Sequence, residues 1–94
     1  MRAIIVAGLM LTGLVLANSA SASSELAKQG GCLNCHAVDT KKVGPSFKEV
    51  AAKNKGKAGA DEAITAKIAG AKDHPKVKAS EADVKTLVKW VLAM

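Results

Sequence analysis

The chain is poor in aromatic residues, with one Phe, one Trp and no Tyr among its 94 residues. Cysteine, histidine and proline occur only twice each, and Arg2 is the one Arg among 14 basic residues. Bidentate readout of phosphates and bases relies on Arg, and base stacking relies on aromatic rings. The scarcity of both argues against a nucleic-acid-binding protein. It also leaves a small domain with few bulky side chains for its core.

The N-terminus has the pattern of a secretory signal. Arg2 precedes an apolar run from Ile4 to Leu16, and small residues follow at positions 20 to 22. We predict cleavage after Ala22, so that residues 1–22 are a signal peptide and residues 23–94 form one domain in the periplasm. An uncleaved membrane anchor is the alternative, but the apolar run is shorter than the about 20 residues of a spanning helix. No stable membrane insertion is expected after cleavage.

The remaining domain is small and basic. A domain of this size buries little apolar surface, and such domains usually depend on a disulfide, a metal or a cofactor. Without Arg2, 13 Lys stand against eight Asp and Glu. A dispersed Lys surface of this kind attracts acidic partners, although Lys also keeps exported proteins soluble.

Four short helices are predicted, and no segment alternates as a strand does. The first helix covers residues 24–29 and stops at Gly30 and Gly31. The second follows a capping box that begins at Ser46 and runs to about Lys53. The third is capped by Asp61 and ends at Gly70, and the fourth starts at Ser80 and runs to the C-terminus. Long loops at residues 37–44 and 71–79 connect them, so the fold class is all-α.

Cys32-Leu33-Asn34-Cys35-His36 is a Cys-x-x-Cys-His motif, the attachment signature of c-type haem. Both thiols can form thioethers with haem vinyl groups, and His36 can then bind the iron. Three alternatives use the same residues: a thioredoxin-like redox pair, a zinc site that includes His74, and a structural disulfide. The absence of strands, the adjacency of Cys35 and His36, and the unfilled core favour one covalent haem c over all three.

The sequence resembles the short bacterial class I cytochromes c. The resemblance covers nearly the whole predicted mature chain and is carried by the segments 31–37, 42–53 and 87–92. It implies a small helical fold wrapped around one haem, with Cys32 and Cys35 as thioether residues and His36 as the proximal iron ligand. It also implies that the Pro45 carbonyl accepts a hydrogen bond from the other ring nitrogen of His36, which fixes the tautomer.

The distal side departs from this family. The family takes its sixth iron ligand from a Met before the last helix, but residues 23–94 contain only Met94, at the end of the chain. His74 lies in the corresponding loop and, like the family Met, precedes a Pro. We therefore predict bis-histidine ligation through His36 and His74, and a reduction potential below that of a His/Met relative with similar haem burial. The alternative is a solvated His74, with water, a Lys amine or no ligand on the distal side.

These residues predict an electron carrier and not an enzyme. The protein is expected to shuttle electrons as a monomer between respiratory partners with acidic docking surfaces, such as a reductase, an oxidase or a multihaem cytochrome. A haem-based sensor or small-ligand-binding protein, with an open or labile distal site, is the second hypothesis. A haem domain acting as a structural interaction module is the third.

Overall fold

The computed structural model describes residues 15–94, with side chains from residue 22 onward. Most of the predicted signal peptide, residues 1–14, lies outside the described residues. Four α-helices follow one another in this part of the chain: α1 (Val15–Gln29), α2 (Phe47–Lys53), α3 (Ala60–Ala69) and α4 (Glu81–Leu92). A 3-10 helix covers Cys32–Asn34, between α1 and α2. Residues 15–94 contain no strand, so the all-α prediction is confirmed for them.

The predicted start of the first helix at residue 24 is wrong. Helix α1 begins at Val15 and continues without a break through Ala22, the residue after which we predict cleavage. Residues 15–23 contain neither Gly nor Pro and are rich in Ala, so nothing in them interrupts a helix. The end of α1 agrees with the prediction, because Gly30 and the left-handed Gly31 follow it.

Hydroxyl caps start two of the helices. The Ser46 side chain accepts a hydrogen bond from the Glu49 backbone N–H at 3.1 Å, and the Ser80 side chain accepts one from the Asp83 N–H at 3.2 Å. Each bond satisfies a backbone donor that has no partner within its helix. The predicted starts of α2 and α4 are therefore confirmed.

Helix α3 has a different cap from the one predicted. Gly59, with φ 77°, is its N-cap, and no side chain caps it. The left-handed Gly59 ends the preceding turn and lets the helix begin at Ala60, so Asp61 lies inside the first turn. Its carboxylate there is favoured by the partial positive charge of the helix start. The predicted end at Gly70 is confirmed.

Helix α4 is the element against which the others pack, since α1, α2 and α3 all contact it. Its apolar face repeats at helical spacing, and the four residues on that face are buried: Val84, Leu87, Val88 and Val91. Ala27 of α1 and Phe47 and Ala51 of α2 complete the buried apolar set. Trp90 meets Phe47 edge-on, with ring centroids 5.8 Å apart. None of the large side chains described is wholly removed from solvent.

Candidate haem site

A cavity of about 750 Å³ lies inside the helical shell, and every helix contributes apolar side chains to it. Volumes of this size are typical of sites that bury a small molecule or cofactor. Most of the buried apolar side chains line this cavity, and none of the large ones is fully buried. Its apolar lining consists mainly of Ala27, Phe47, Val50, Ile64, Ile68, Val84, Leu87, Val88, Val91 and Leu92.

The residues of the Cys-x-x-Cys-His motif line one part of this cavity. Gly31, with φ 84°, follows α1 and is the N-cap of the 3-10 helix, whose first residue is Cys32. The backbone N–H groups of Cys35 and His36 both donate to the Cys32 carbonyl, at 3.2 and 2.9 Å. This tight turn brings two free thiols and one imidazole to the same wall.

Cys32 and Cys35 are both free and partly buried. Burial raises the pKa of the Cys32 thiol, because a thiolate is poorly solvated there, and a backbone hydrogen bond opposes this effect.

His36 is held from two sides. Its Nδ1 lies 2.6 Å from the Pro45 carbonyl oxygen, and because a carbonyl can only accept, Nδ1 carries the proton in this hydrogen bond. Gly44 packs against the ring so closely that a Cβ at this position would lie 2.5 Å from Cε1 of His36. The Gly44 N–H in turn donates to the Cys35 carbonyl at 2.8 Å. Nε2 of His36 is left as the nitrogen free to bind a metal.

His74 lies on the loop between α3 and α4 and lines the same cavity. Its Nδ1 is 2.7 Å from the Pro75 carbonyl oxygen, so its free nitrogen is also Nε2. The ring centroids of His36 and His74 are 6.2 Å apart, and the two ring planes differ by 10°. The structure therefore brings together all five residues that the sequence singled out, namely Cys32, Cys35, His36, Pro45 and His74.

Met94 does not belong to this group. It is 41% exposed at the end of the chain and is not among the residues that line the cavity. Sequence reasoning missed two contributors to the site: the close packing of Gly44 on His36, and the Pro75 carbonyl next to His74. Only the second had a sequence signal, the dipeptide His74-Pro75, because the Gly44 contact forms only when the loop at residues 37–44 folds back onto His36.

An apolar cavity inside a helical shell, with two thiols and a tautomer-fixed imidazole on one wall, suits a covalently attached haem, and these features define a c-type cytochrome. Comparisons with known proteins agree. The chain is 51% identical to cytochrome c-551 of Azotobacter vinelandii over 75 residues, which cover 72% of this chain and 92% of the relative. It is 42% identical to cytochrome c-551 of Pseudomonas aeruginosa over 94 residues, or 90% of each chain. No protein-family model matches the chain.

Solved structures give the same result. The class 1 cytochrome MtoD from Sideroxydans lithotrophicus superposes with a TM-score of 0.68 at 35% identity, covering 78% of this chain and 92% of that one. Wild-type cytochrome c552 from Nitrosomonas europaea superposes with a TM-score of 0.66 at 38% identity, covering 73% and 95%. The chain belongs to the small bacterial class I monohaem cytochromes c. It carries one covalent haem c and transfers electrons to and from redox partners, as a carrier and not an enzyme.

Proposed function

We propose that this cytochrome is a periplasmic electron shuttle whose iron is bound by His36 on one face and His74 on the other. In this proposal Cys32 and Cys35 form the two thioethers, and Pro45 accepts the Nδ1 proton of His36. A haem held by these residues would take up and release electrons without a substrate having to bind.

The observation that carries the proposal is the spacing of the two imidazole rings. Metal–nitrogen bonds of about 2 Å on opposite faces of one iron put the ring centroids about 6 Å apart, because each centroid lies roughly one further ångström beyond its nitrogen. His36 and His74 have centroids 6.2 Å apart and nearly parallel planes. This separation and the small angle between the planes are compatible with both Nε2 atoms binding one iron.

Hydrogen bonds at the two histidines support the same ligand pair. Each Nδ1 donates to a proline carbonyl, at 2.6 Å for Pro45 and 2.7 Å for Pro75. Such a contact fixes the tautomer, leaves Nε2 unprotonated and raises the basicity of the ligand. Met94, the one Met in residues 15–94, is exposed and outside the cavity, so it offers no competing sulfur.

This arrangement explains how the chain serves electron transfer. Bound haem supplies an iron that alternates between the ferric and ferrous states. His36 and His74 would both hold the iron of a bound haem, which would disfavour exogenous ligands, and the apolar residues of the cavity would surround the group. Imidazole in place of a thioether sulfur favours ferric iron, so the reduction potential is expected to lie below that of a His/Met relative with similar haem burial.

Partner docking is expected to depend on lysine charge. Three Lys line the cavity, Lys67, Lys76 and Lys78. Among the described residues only two ion pairs occur, Lys48 with Asp39 and Lys53 with Glu49, and both are exposed. Most Lys charge is therefore available to attract acidic surfaces of a reductase, an oxidase or a multihaem cytochrome.

Export remains part of the proposal. We propose that residues 1–22 direct the chain to the periplasm and are removed, and that the mature protein acts as a monomer. Cleavage after Ala22 would leave Ser23, a buried residue of α1, as the first residue of the mature chain. No helix among residues 15–94 has the length and apolar character needed to cross a membrane.

The experiment that tests this function compares two single variants on the same loop. His74→Ala removes the distal imidazole, so we expect the ferric protein to become high-spin and to regain a low-spin spectrum when imidazole is added. Lys76→Ala, two residues further on, is the matched control and is expected to keep the wild-type spectrum. A low-spin His74→Ala protein that ignores added imidazole would reject His74 as a ligand.

A further inference from the structure

The loop that carries His74 is fastened only near its ends. We call residues 71–79 the strap. At its start the Lys72 N–H donates to the Lys67 carbonyl at 2.9 Å, and near its end the Lys78 N–H donates to the Gly30 carbonyl at 3.2 Å. Between these points, residues 73–77 make no backbone–backbone hydrogen bond with any other described residue. No hydrogen-bonded ladder therefore dictates where His74 points.

Two strap residues other than glycine have left-handed backbones: Ala71 with φ 51° and Asp73 with φ 56°. The end of α3 accounts for Ala71. The Ala71 N–H donates to the Ile68 carbonyl at 3.1 Å, and the Lys72 N–H donates to the Lys67 carbonyl. This pair of hydrogen bonds at a helix end requires a left-handed residue directly after the helix cap. Asp73 lies beyond this motif, so the helix end does not account for its conformation.

Asp73 is immediately followed by His74, and both line the cavity. A left-handed residue reverses the local direction of the chain, so it changes where the next side chain points. In the observed conformation the His74 ring lies parallel to that of His36, and its Nδ1 reaches the Pro75 carbonyl. Backbone strain of this kind often occurs at ligand-clamping segments.

We infer that Asp73 is the positioning residue of the distal ligand: its left-handed backbone directs the His74 ring into the cavity, facing His36. This inference rests on the proposed ligation by His74. The backbone, and not the carboxylate, performs this role, because the Asp73 carboxylate forms no ion pair and accepts no hydrogen bond among the described residues. Asp and Asn tolerate the left-handed region far better than β-branched residues do.

The test substitutes Asp73 in the full holoprotein and measures how firmly His74 holds the iron. Asp73→Gly and Asp73→Asn both permit a positive φ, so each is expected to keep the wild-type low-spin spectrum. Asp73→Val opposes it, and we expect at least about a tenfold rise in the apparent affinity for added imidazole, since the native strap conformation becomes harder to reach. Lys76→Val is the control, because the same side chain enters the strap at a residue whose φ is not positive.

Electron paramagnetic resonance of each ferric variant measures the anisotropy of the low-spin signal, which a loss of stability alone would not change. Asp73→Val should change the anisotropy of any remaining low-spin signal, because the angle between the imidazole planes changes. If Asp73→Val gives too little holoprotein, Asp73→Ala serves in its place, with an expected effect of about threefold. Unchanged imidazole affinity and unchanged anisotropy in both variants would overturn the inference, as would equal changes in Asp73→Gly or Lys76→Val. A wild-type protein that is already high-spin would instead overturn the proposed ligation.

Discussion

Ala71 occupies a backbone position that normally belongs to glycine. It is the first residue after the cap of α3, where two hydrogen bonds close the helix end and φ is 51°. Gly70 stands one residue earlier, with φ −88°, where its freedom is not needed. The sequence order Gly-Ala thus puts a side chain at the strained position. Replacing Ala71 by Gly should remove this strain without disturbing any hydrogen bond.

The size of the effect follows from two opposing contributions. A left-handed conformation costs a residue with a Cβ roughly 1–2 kcal/mol relative to the right-handed region. Glycine instead loses about 0.5–1 kcal/mol more conformational entropy on folding than Ala does. The net gain for Ala71→Gly is therefore about 0.5–1 kcal/mol, or a rise in melting temperature of a few degrees for a domain of this size, on the order of 4–8 °C per kcal/mol.

Guanidinium unfolding of the ferric holoprotein, followed by far-ultraviolet circular dichroism, measures this gain. Ala66→Gly is the matched control, because Ala66 is an exposed residue inside the same helix. There the same substitution only adds flexibility and should lower the free energy of unfolding by about 0.5–1 kcal/mol. Destabilisation of similar size at both positions would refute the strain at Ala71.

Three further predictions concern the proximal histidine, a helix cap and the surface charge. Gly44→Ala would place a Cβ 2.5 Å from Cε1 of His36, so the ring or its loop must move, and unfolding experiments should show a loss of about 1–3 kcal/mol; unchanged stability and an unchanged ferric spectrum would contradict the close packing. Ser80→Ala removes the cap of α4 and should cost about 1 kcal/mol in the same assay, whereas Ser80→Asp, which keeps an acceptor, should cost little; equal losses would exclude the cap as the cause. The second-order rate of electron exchange with an acidic redox protein should fall as salt rises, and a rate independent of ionic strength in stopped-flow measurements would contradict docking through Lys.

The elements that were predictable from sequence are those whose signals are local. Ser46 and Ser80 are followed three residues later by Glu49 and Asp83, and in both cases the expected cap hydrogen bond is present. The Cys-x-x-Cys-His motif is equally local, since all its residues lie on one turn. Local patterns of this kind determine their own geometry, so the sequence is sufficient to find them.

Features that depend on packing or on rare backbone angles were not predictable. Nothing in the sequence shows that Gly44 lies on the His36 ring, because that contact forms only when the 37–44 loop folds back. The left-handed backbone angles at Ala71 and Asp73 could not be predicted from the sequence either, because Ala in particular rarely adopts them. The start of α1 was placed at Ser24, but the residues before it also favour a helix, and the structure has α1 from Val15.

The ring planes of His36 and His74 are nearly parallel, and this orientation allows one direct measurement to test whether both residues bind the iron. When the two imidazole planes are parallel, both ligands interact with the same iron d orbital, so the energy of that orbital differs from the energy of the second d orbital of the pair. Perpendicular planes leave the two orbitals nearly equal in energy. Electron paramagnetic resonance of the oxidised wild-type protein should therefore show a rhombic low-spin signal of the bis-imidazole type. The optical spectrum of the same sample should lack a sulfur-to-iron charge-transfer band. A high-spin signal, or a low-spin signal accompanied by that band, would contradict iron ligation by His36 and His74.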